Sequence, residues 1–361
     1  AMLLFFKKNS ERYRNNAVGL AKVEAIYFPS MTLLIGLSTL LTIYTGSKMA
    51  LDDPQKLGII AEFVIYINML MFPVTAIGSV ASMVQRAAAS QKRLNEFMQT
   101  GPAIQSPENV KSNVPVSGDI AFEDISYTYT HTGIQSLQHL RLTIKEGEKV
   151  LILGRTGSGK STLLQMLMRF FDADEGGISI GGRNIKNIPL KQLRNSISYV
   201  PQDVFLFSDT VANNISFGLE GGADKDKLEH ATKLASIHKE ILSLENGYET
   251  MVGERGVTLS GGQKQRISIA RALIKDVPII LFDDCLSAVD AKTENNIINN
   301  LYEYMGGKTA LLVTHRIFTV LNFDKIVVMD EGQIIEEGTH ETLLAQNGYY
   351  AELYQLQVTS E

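Results

Sequence analysis

The sequence predicts an α/β domain with a mainly parallel sheet and a phosphate-binding loop, preceded by two helices long enough to span a membrane. Three observations carry this. Residues 25–47 and 63–85 are uncharged runs of 23 residues each. "GRTGSGKS", Gly154 to Ser161, stands between an apolar strand-like run and a helix-like run. From Asp119 onward, short apolar runs alternate with helix-patterned segments, as expected of strands covered on both faces.

The two uncharged runs come first along the chain. At about 1.5 Å per helical residue each makes about 34 Å, enough for a hydrocarbon core of about 30 Å. Pro29 and Pro73 are tolerable in such helices where neighbours satisfy the freed carbonyls. The alternative is a pair of core helices in a soluble protein. Lys7, Lys8, Arg12, Arg14 and Lys22 precede the first run, and Arg86, Lys92 and Arg93 follow the second. The loop between, "KMALDDPQK", is balanced in sign, so the basic flanks put both ends in the cytoplasm. Residues 1–99 thus read as a partial transmembrane domain with spans at about 25–47 and 57–85, the second helix continuing to about Gln99. The opening "AMLLFFKKNSERYRNN" has too short an apolar run for a signal peptide and reads as a helix entered in mid-protein.

Residues 100–117, with Pro102, Pro107 and Pro115, read as a linker, and residues 118–361 as a nucleotide-binding domain. "EKVLILG", "VPIILFDD", "GKTALLVTH" and "DKIVVMDEGQIIEEG" are strand candidates, with helices at "KSTLLQMLMRFF" and "AKTENNIINNLYEYM". The bulk composition, 45% hydrophobic and 20% charged, is ordinary; the apolar residues crowd into the first hundred positions. A net charge of −5 and a pI of about 5.8 argue against a nucleic-acid binder that relies on a broad basic surface. Cys285 is the sole cysteine, which excludes an internal disulfide and suits a small buried side chain.

The phosphate-binding loop carries the first chemistry. Gly154, Gly157 and Gly159 let the backbone N–H groups of the loop, with Arg155, Thr156, Ser158 and Thr162 around them, wrap phosphates. Lys160 brings charge to the outer phosphates and Ser161 can ligate Mg²⁺, at the positive end of the following helix. Asp283 ends the run "IILF" and suits the magnesium acid of a neighbouring strand; an N-cap is its plainer reading. "LSGGQKQR" puts Ser260, Gly261, Gly262 and Gln263 before a helical segment, which makes a second anion site or a plain capped turn. Spacing leaves open whether the two loops grip one nucleotide or two.

Together with "VPQDVFLFSDTVANNI", "VGERGVTLSGGQKQRISIARAL", "SAVD" and "VTHR", these motifs resemble the ATP-binding cassette (ABC) transporter family, exporter type, across essentially the whole chain. The resemblance implies ATP and Mg²⁺ as ligands, the metal held by Ser161, Gln202 and Asp283. It implies adenine stacking on Tyr129 of "ISYTYT", with Tyr127 as second candidate. Gln202 matches the loop residue that senses the membrane domain, His315 the switch histidine near the γ-phosphate, and Asp290 the interface loop. Two such domains are expected to dimerise head-to-tail, each ATP lying between one chain's phosphate loop and the other's "LSGGQ". The hairpin is similar to the last two of six spans, so a truncated or partial chain is expected. The implied partners are a second exporter subunit, membrane lipid and a transported drug, lipid or peptide, with no nucleic acid; the implied location is the cell membrane, multi-pass, with the nucleotide-binding domain in the cytoplasm. A non-transporting ABC ATPase of the DNA-repair type fits neither the long apolar runs nor the acidic balance.

One residue departs from the family pattern. The position after the magnesium aspartate is normally glutamate, the general base toward water, and here it is Asp284. Its side chain is shorter by about 1.5 Å, one carbon–carbon bond. A misplacement of about 1 Å can lower a rate on the order of a hundredfold. The catalytic set Asp284, His315 and Gln202 is therefore expected to bind Mg-ATP and hydrolyse it slowly. The intact "LSGGQ" would complete a working site on a different partner that carries glutamate. A homodimer with two slow sites and a regulatory subunit that never hydrolyses are the alternatives. Glu62, a charge beside the second apolar run, reads as a residue at the membrane interface rather than a cargo ligand.

Overall fold

The chain folds into two compact units, 1–101 and 102–361. The computed structural model describes residues 2–360 except 53, 54, 56, 108–113, 220, 254, 255, 257, 258, 287–290, 316 and 318–321. In the first unit, helix α1 runs Met2–Asp52 and helix α2 runs Leu57–Gln99. At 1.5 Å per residue they measure about 76 and 64 Å, so each continues well past a bilayer core of about 30 Å. None of the most apolar window of either helix is buried within the unit. Leu33 is 69% and Phe72 78% exposed, so neither helix forms a buried core within this unit. Thr39, Thr42 and Thr45 return their hydroxyls to carbonyls one turn back, at 2.9, 2.9 and 2.7 Å, which satisfies polar groups inside an apolar stretch.

The second unit runs in the order β1 (Ile120–Tyr129), β2 (Ile134–Ile144), β3 (Lys149–Gly154), α3 (Lys160–Leu167), β4 (Glu175–Ile180), β5 (Arg183–Asn184), α4 (Leu190–Asn195) and β6 (Ile197–Val200). There follow α5 (Val211–Ser216), α6 (Lys225–Leu234), α7 (His238–Leu242), α8 (Gly261–Leu273), β7 (Ile279–Asp283), α9 (Ala291–Tyr304) and β8 (Thr309–Val313). The last elements are β9 (Lys325–Asp330), β10 (Gln333–Gly338), α10 (His340–Gln346) and α11 (Tyr349–Ser360).

The main sheet has the order β10-β9-β3-β8-β7-β6, parallel throughout except for β10, which pairs antiparallel with β9. The run "DKIVVMDEGQIIEEG" is therefore a hairpin. Glu331 and Gly332 both take positive φ, 43° and 81°, the two-residue turn that matches strand twist. A second, antiparallel sheet of order β2-β1-β4-β5 was not expected from the sequence. Its long strand β1 slips register at several points against β2, which blurs the alternation that would have marked it.

Alternation along the parallel strands builds two cores. Leu151, Leu153, Ile280, Phe282, Leu312 and Val328 face one side, together with residues of α5 to α11. Val150, Ile152, Ile279, Leu281, Leu311 and Val327 face the other, against α3 and the antiparallel sheet. Strands buried on both faces read as unbroken apolar runs, which is why these were legible. The same burial fixes the strand ends, where the loops with polar residues gather.

Candidate functional site

The loop after β3 is shaped by two glycines. At Gly154, φ 154°, a Cβ would run into the carbonyl oxygen of Met329 on β9. At Gly159, the N-cap of α3 with φ 97°, a Cβ would lie 2.5 Å from the Ser136 carbonyl oxygen. The chain therefore folds tightly over the strand end and aims Lys160 inward. Its Nζ donates to the carbonyl oxygens of Gly154 at 2.8 Å and Arg155 at 2.7 Å, and to Ser158 Oγ at 3.4 Å. The residue is only 6% exposed. Burial pulls the Lys160 pKa below its usual value, and Asp284 and Asp283 pull it back up. A cation taken from water and held by neutral oxygens is a charge that an incoming phosphate compensates.

The two acids stand at the end of β7. Asp283, 2% exposed, accepts from Ser161 Oγ at 2.8 Å on one oxygen and from Tyr199 OH at 3.0 Å on the other. Burial raises its pKa, while the two hydroxyls favour the carboxylate. The Tyr199 hydroxyl is pushed well above its ordinary range by burial and then by Asp283, so it acts as a donor. Asp284 follows with φ 45°, a left-handed conformation that aspartate tolerates better than most side chains. Its N–H donates to the Val313 carbonyl at 2.9 Å, and Gln202 Nε2 reaches its carboxylate at 3.5 Å.

These groups face one cleft of about 370 Å³, lined among others by Tyr129, Thr156, Gly157, Gly159, Lys160, Ser161, Thr162, Gln202, Asp283, Asp284 and His315. His315 is exposed there. Tyr129 OH is 3.1 Å from Thr162 Oγ1, while the Tyr127 ring, stacked on Phe171, is buried and does not line the cleft. Gly154, Arg155 and Ser158 shape the loop without lining the cleft; Arg155 Nε instead donates to Tyr349 OH at 3.1 Å. Sequence reasoning missed Tyr199 and the wall formed by His131 and Thr132 of the β1–β2 turn with Ile134 and Ser136 of β2. The run "SISYV" before Gln202 carried the signal for Tyr199, as a strand ending beside the loop. Asp290, in 287–290, and Arg316 of "VTHR" lie outside the described residues.

Ser260, Gly261, Gly262 and Gln263 are elsewhere. They open α8, and none of them lines the cleft. Ser260 caps the helix: its Oγ accepts from Gln263 N at 3.2 Å, and Gln263 Oε1 accepts from Ser260 N at 2.9 Å.

The loop of His315 is braced from the C-terminal helix. Gln357 on α11 exchanges two bonds with Ile317, whose N–H donates to Oε1 at 2.8 Å and whose carbonyl accepts from Nε2 at 2.9 Å. Gln357→Ala removes both, each worth about 0.5–1.5 kcal/mol. Faster hydrogen exchange at the Ile317 amide is the expected outcome; unchanged exchange contradicts the brace.

A family model described as ABC transporter matches residues 137–287, which hold the phosphate loop, Gln202, the capped turn and both acids. The chain is 42% identical over 353 residues to the "Probable multidrug resistance ABC transporter ATP-binding/permease protein YheI" of Bacillus subtilis, covering 98% of this chain and 60% of that one. Residues 137–287 are an ABC transporter domain. The chain that holds this domain is also 36% identical to an ATP-dependent lipid A-core flippase of Vibrio parahaemolyticus, over 98% of its own length and 60% of the flippase. A solved structure, a bacterial Atm1-family ABC exporter with ATP bound, matches with TM-score 0.73 and 33% identity, over 91% of this chain and 56% of that one. Both units fall within these matches, and the likeness is to the exporter type. The chain spans about 60% of the length of the curated relatives it matches.

Proposed function

We propose that this chain is the ATP-binding part, with an attached membrane hairpin, of an ABC exporter subunit. The observation that carries the reading is the division of its motifs. The cleft gathers Lys160, Ser161, Gln202, Asp283, Asp284 and His315, while the Ser260 turn at the start of α8 does not line it. On this reading a nucleotide in this cleft takes its serine–glycine turn from a second chain, as the family resemblance implies, and this chain's own turn serves the second chain's nucleotide. Residues 1–99 form the hairpin and 118–361 the nucleotide-binding domain, joined by 100–117. The hairpin crosses the cell membrane with the nucleotide-binding domain in the cytoplasm; the basic flanks of the two helices support that orientation.

Within the cleft, Tyr129 stacks on adenine. The loop from Gly154 to Thr162 and the Lys160 ammonium hold the phosphates. Ser161 Oγ and Asp283, 2.8 Å apart, are hard oxygen donors, and with Gln202 lining the same cleft they would hold Mg²⁺. When bound, the ion would neutralise phosphate charge. Among the described residues no cluster of three or more His, Cys, Asp or Glu makes a separate metal cage. Asp284 takes the proton of the attacking water, His315 meets the γ-phosphate, and Gln202 links the cleft to the membrane part. Asp284 reaches less far than glutamate, so the cleft binds ATP and hydrolyses it slowly, with a partner that carries the faster site. ATP-driven closure of the pair turns the helices and moves cargo of the drug, lipid or peptide class. The names of the similar multidrug and lipid A-core proteins support an amphipathic cargo.

Two measurements test this. In inverted membrane vesicles holding the complete transporter, ATP-driven accumulation of a lipophilic dye is expected and is absent with Lys160→Met; equal accumulation by both contradicts the reading. In equilibrium titration of ATP, Tyr129→Ala is expected to weaken binding by about tenfold, the worth of one aromatic stack. Unchanged affinity places the adenine elsewhere.

A further inference from the structure

The turn that opens α8 is held from α7 by one side chain that the sequence motifs do not include. Glu240 takes Arg266 in a two-point grip, Nη1 to Oε1 at 2.5 Å and Nη2 to Oε2 at 3.0 Å. The same Oε2 accepts from Gln263 Nε2 at 3.1 Å. Arg266 is 7% exposed, and it also donates to the carbonyl oxygens of Gly262 at 3.2 Å and Ser236 at 3.0 Å.

The amide of Gln263 has two distinct ends, and Glu240 fixes which way they point. A carboxylate only accepts, so it selects the NH₂ end. The carbonyl end then faces the Ser260 N–H, as the 2.9 Å bond requires. With Gln263 oriented, its own backbone N–H meets Ser260 Oγ and the capping box closes. Arg266 meanwhile ties the Gly262 carbonyl to the same carboxylate. The chain Glu240–Gln263–Ser260 sets both the rotamer of the serine and the path of the two glycines.

We infer that Glu240 is a positioning residue that holds the Ser260–Gly262 turn in the shape it presents to the nucleotide on the second subunit. This rests on the reading that the turn serves that nucleotide. Glu240 lies outside the chain's own cleft, so its effect is exerted across the interface. Glu240→Gln is nearly isosteric but replaces one acceptor oxygen with a donor NH₂. Either Arg266 or Gln263 then meets a donor, and the Gln263 amide loses its enforced orientation. Glu240→Asp keeps both acceptor oxygens.

The test uses the complete transporter, with ATP as the probe. Glu240→Gln is expected to lower kcat/KM for ATP about tenfold, as for a misplaced contact group. It leaves the ATP affinity of its own cleft unchanged and speeds hydrogen exchange at the Gly261 and Gln263 amides. Glu240→Asp is expected to retain more of the rate than Glu240→Gln. A general structural defect would weaken own-cleft binding as well, and that result overturns the inference. So does a Glu240→Gln rate equal to wild type while Ser260→Ala is inactive. If Ser260→Ala itself hydrolyses at the wild-type rate, the turn does not serve a nucleotide, and the functional reading fails together with the inference.

Discussion

Lys160→Met is expected to weaken ATP binding about a hundredfold, the effect of truncating one partner of a buried charge pair. Methionine keeps the length of the stem and removes the ammonium, with its charge and its N–H donors. In the protein, the ammonium is buried and held by the carbonyl oxygens of Gly154 and Arg155 and by Ser158 Oγ, all neutral. Burial penalises its charge, which Asp284 and Asp283 only partly support. Phosphate oxygens would supply the missing compensation, so the free energy recovered on binding is large. Titration of ATP against the full-length subunit and its variant measures this. A loss of less than about threefold would mean that the lysine belongs to the loop's architecture and not to the ligand.

Asp284→Glu is expected to raise hydrolysis at this chain's own cleft about tenfold, by restoring the reach toward water. The comparison is made on a Ser260→Ala background, which on the proposed reading silences the partner's site and leaves own-cleft hydrolysis as the readout. Without that background, a fast partner site would mask the gain. A small loss of thermal stability should accompany it. Asp284 sits at φ 45°, where a short side chain that bonds locally is tolerated better than glutamate. An unchanged rate would mean that reach is not what limits this cleft.

The parallel strands were legible because each is buried on both faces and so appears as an unbroken apolar run, with Ile279–Asp283 the clearest case. The phosphate loop was legible because its glycines take positive φ, where other side chains are strained, and stand at a fixed spacing from Lys160. The antiparallel sheet was not legible. Its pairing joins Ile120 to both Ile144 and Ile180, and register slips along β1 erase the local period. With that sheet unseen, the wall of the cleft around Ser136 was unseen too. Tyr199 escaped for a related reason. Its partner, Asp283, is 84 positions away, and only the pairing of β6 with β7 brings them together. The hold of Glu240 on Gln263 likewise depends on the packing of α7 beside α8, which no motif spells out.

The division of labour between Asp284 and Ser260 is tested most directly by comparing Asp284→Asn with Ser260→Ala in the complete transporter purified with whatever subunit accompanies it. ATP hydrolysis is measured at saturating Mg-ATP. The expected result is that Asp284→Asn keeps most of the activity, because the partner's site carries it, whereas Ser260→Ala loses about nine-tenths, because that site lacks its serine turn. Loss of activity in Asp284→Asn as complete as in Ser260→Ala would contradict an asymmetric pair and make Asp284 the working base of the transporter.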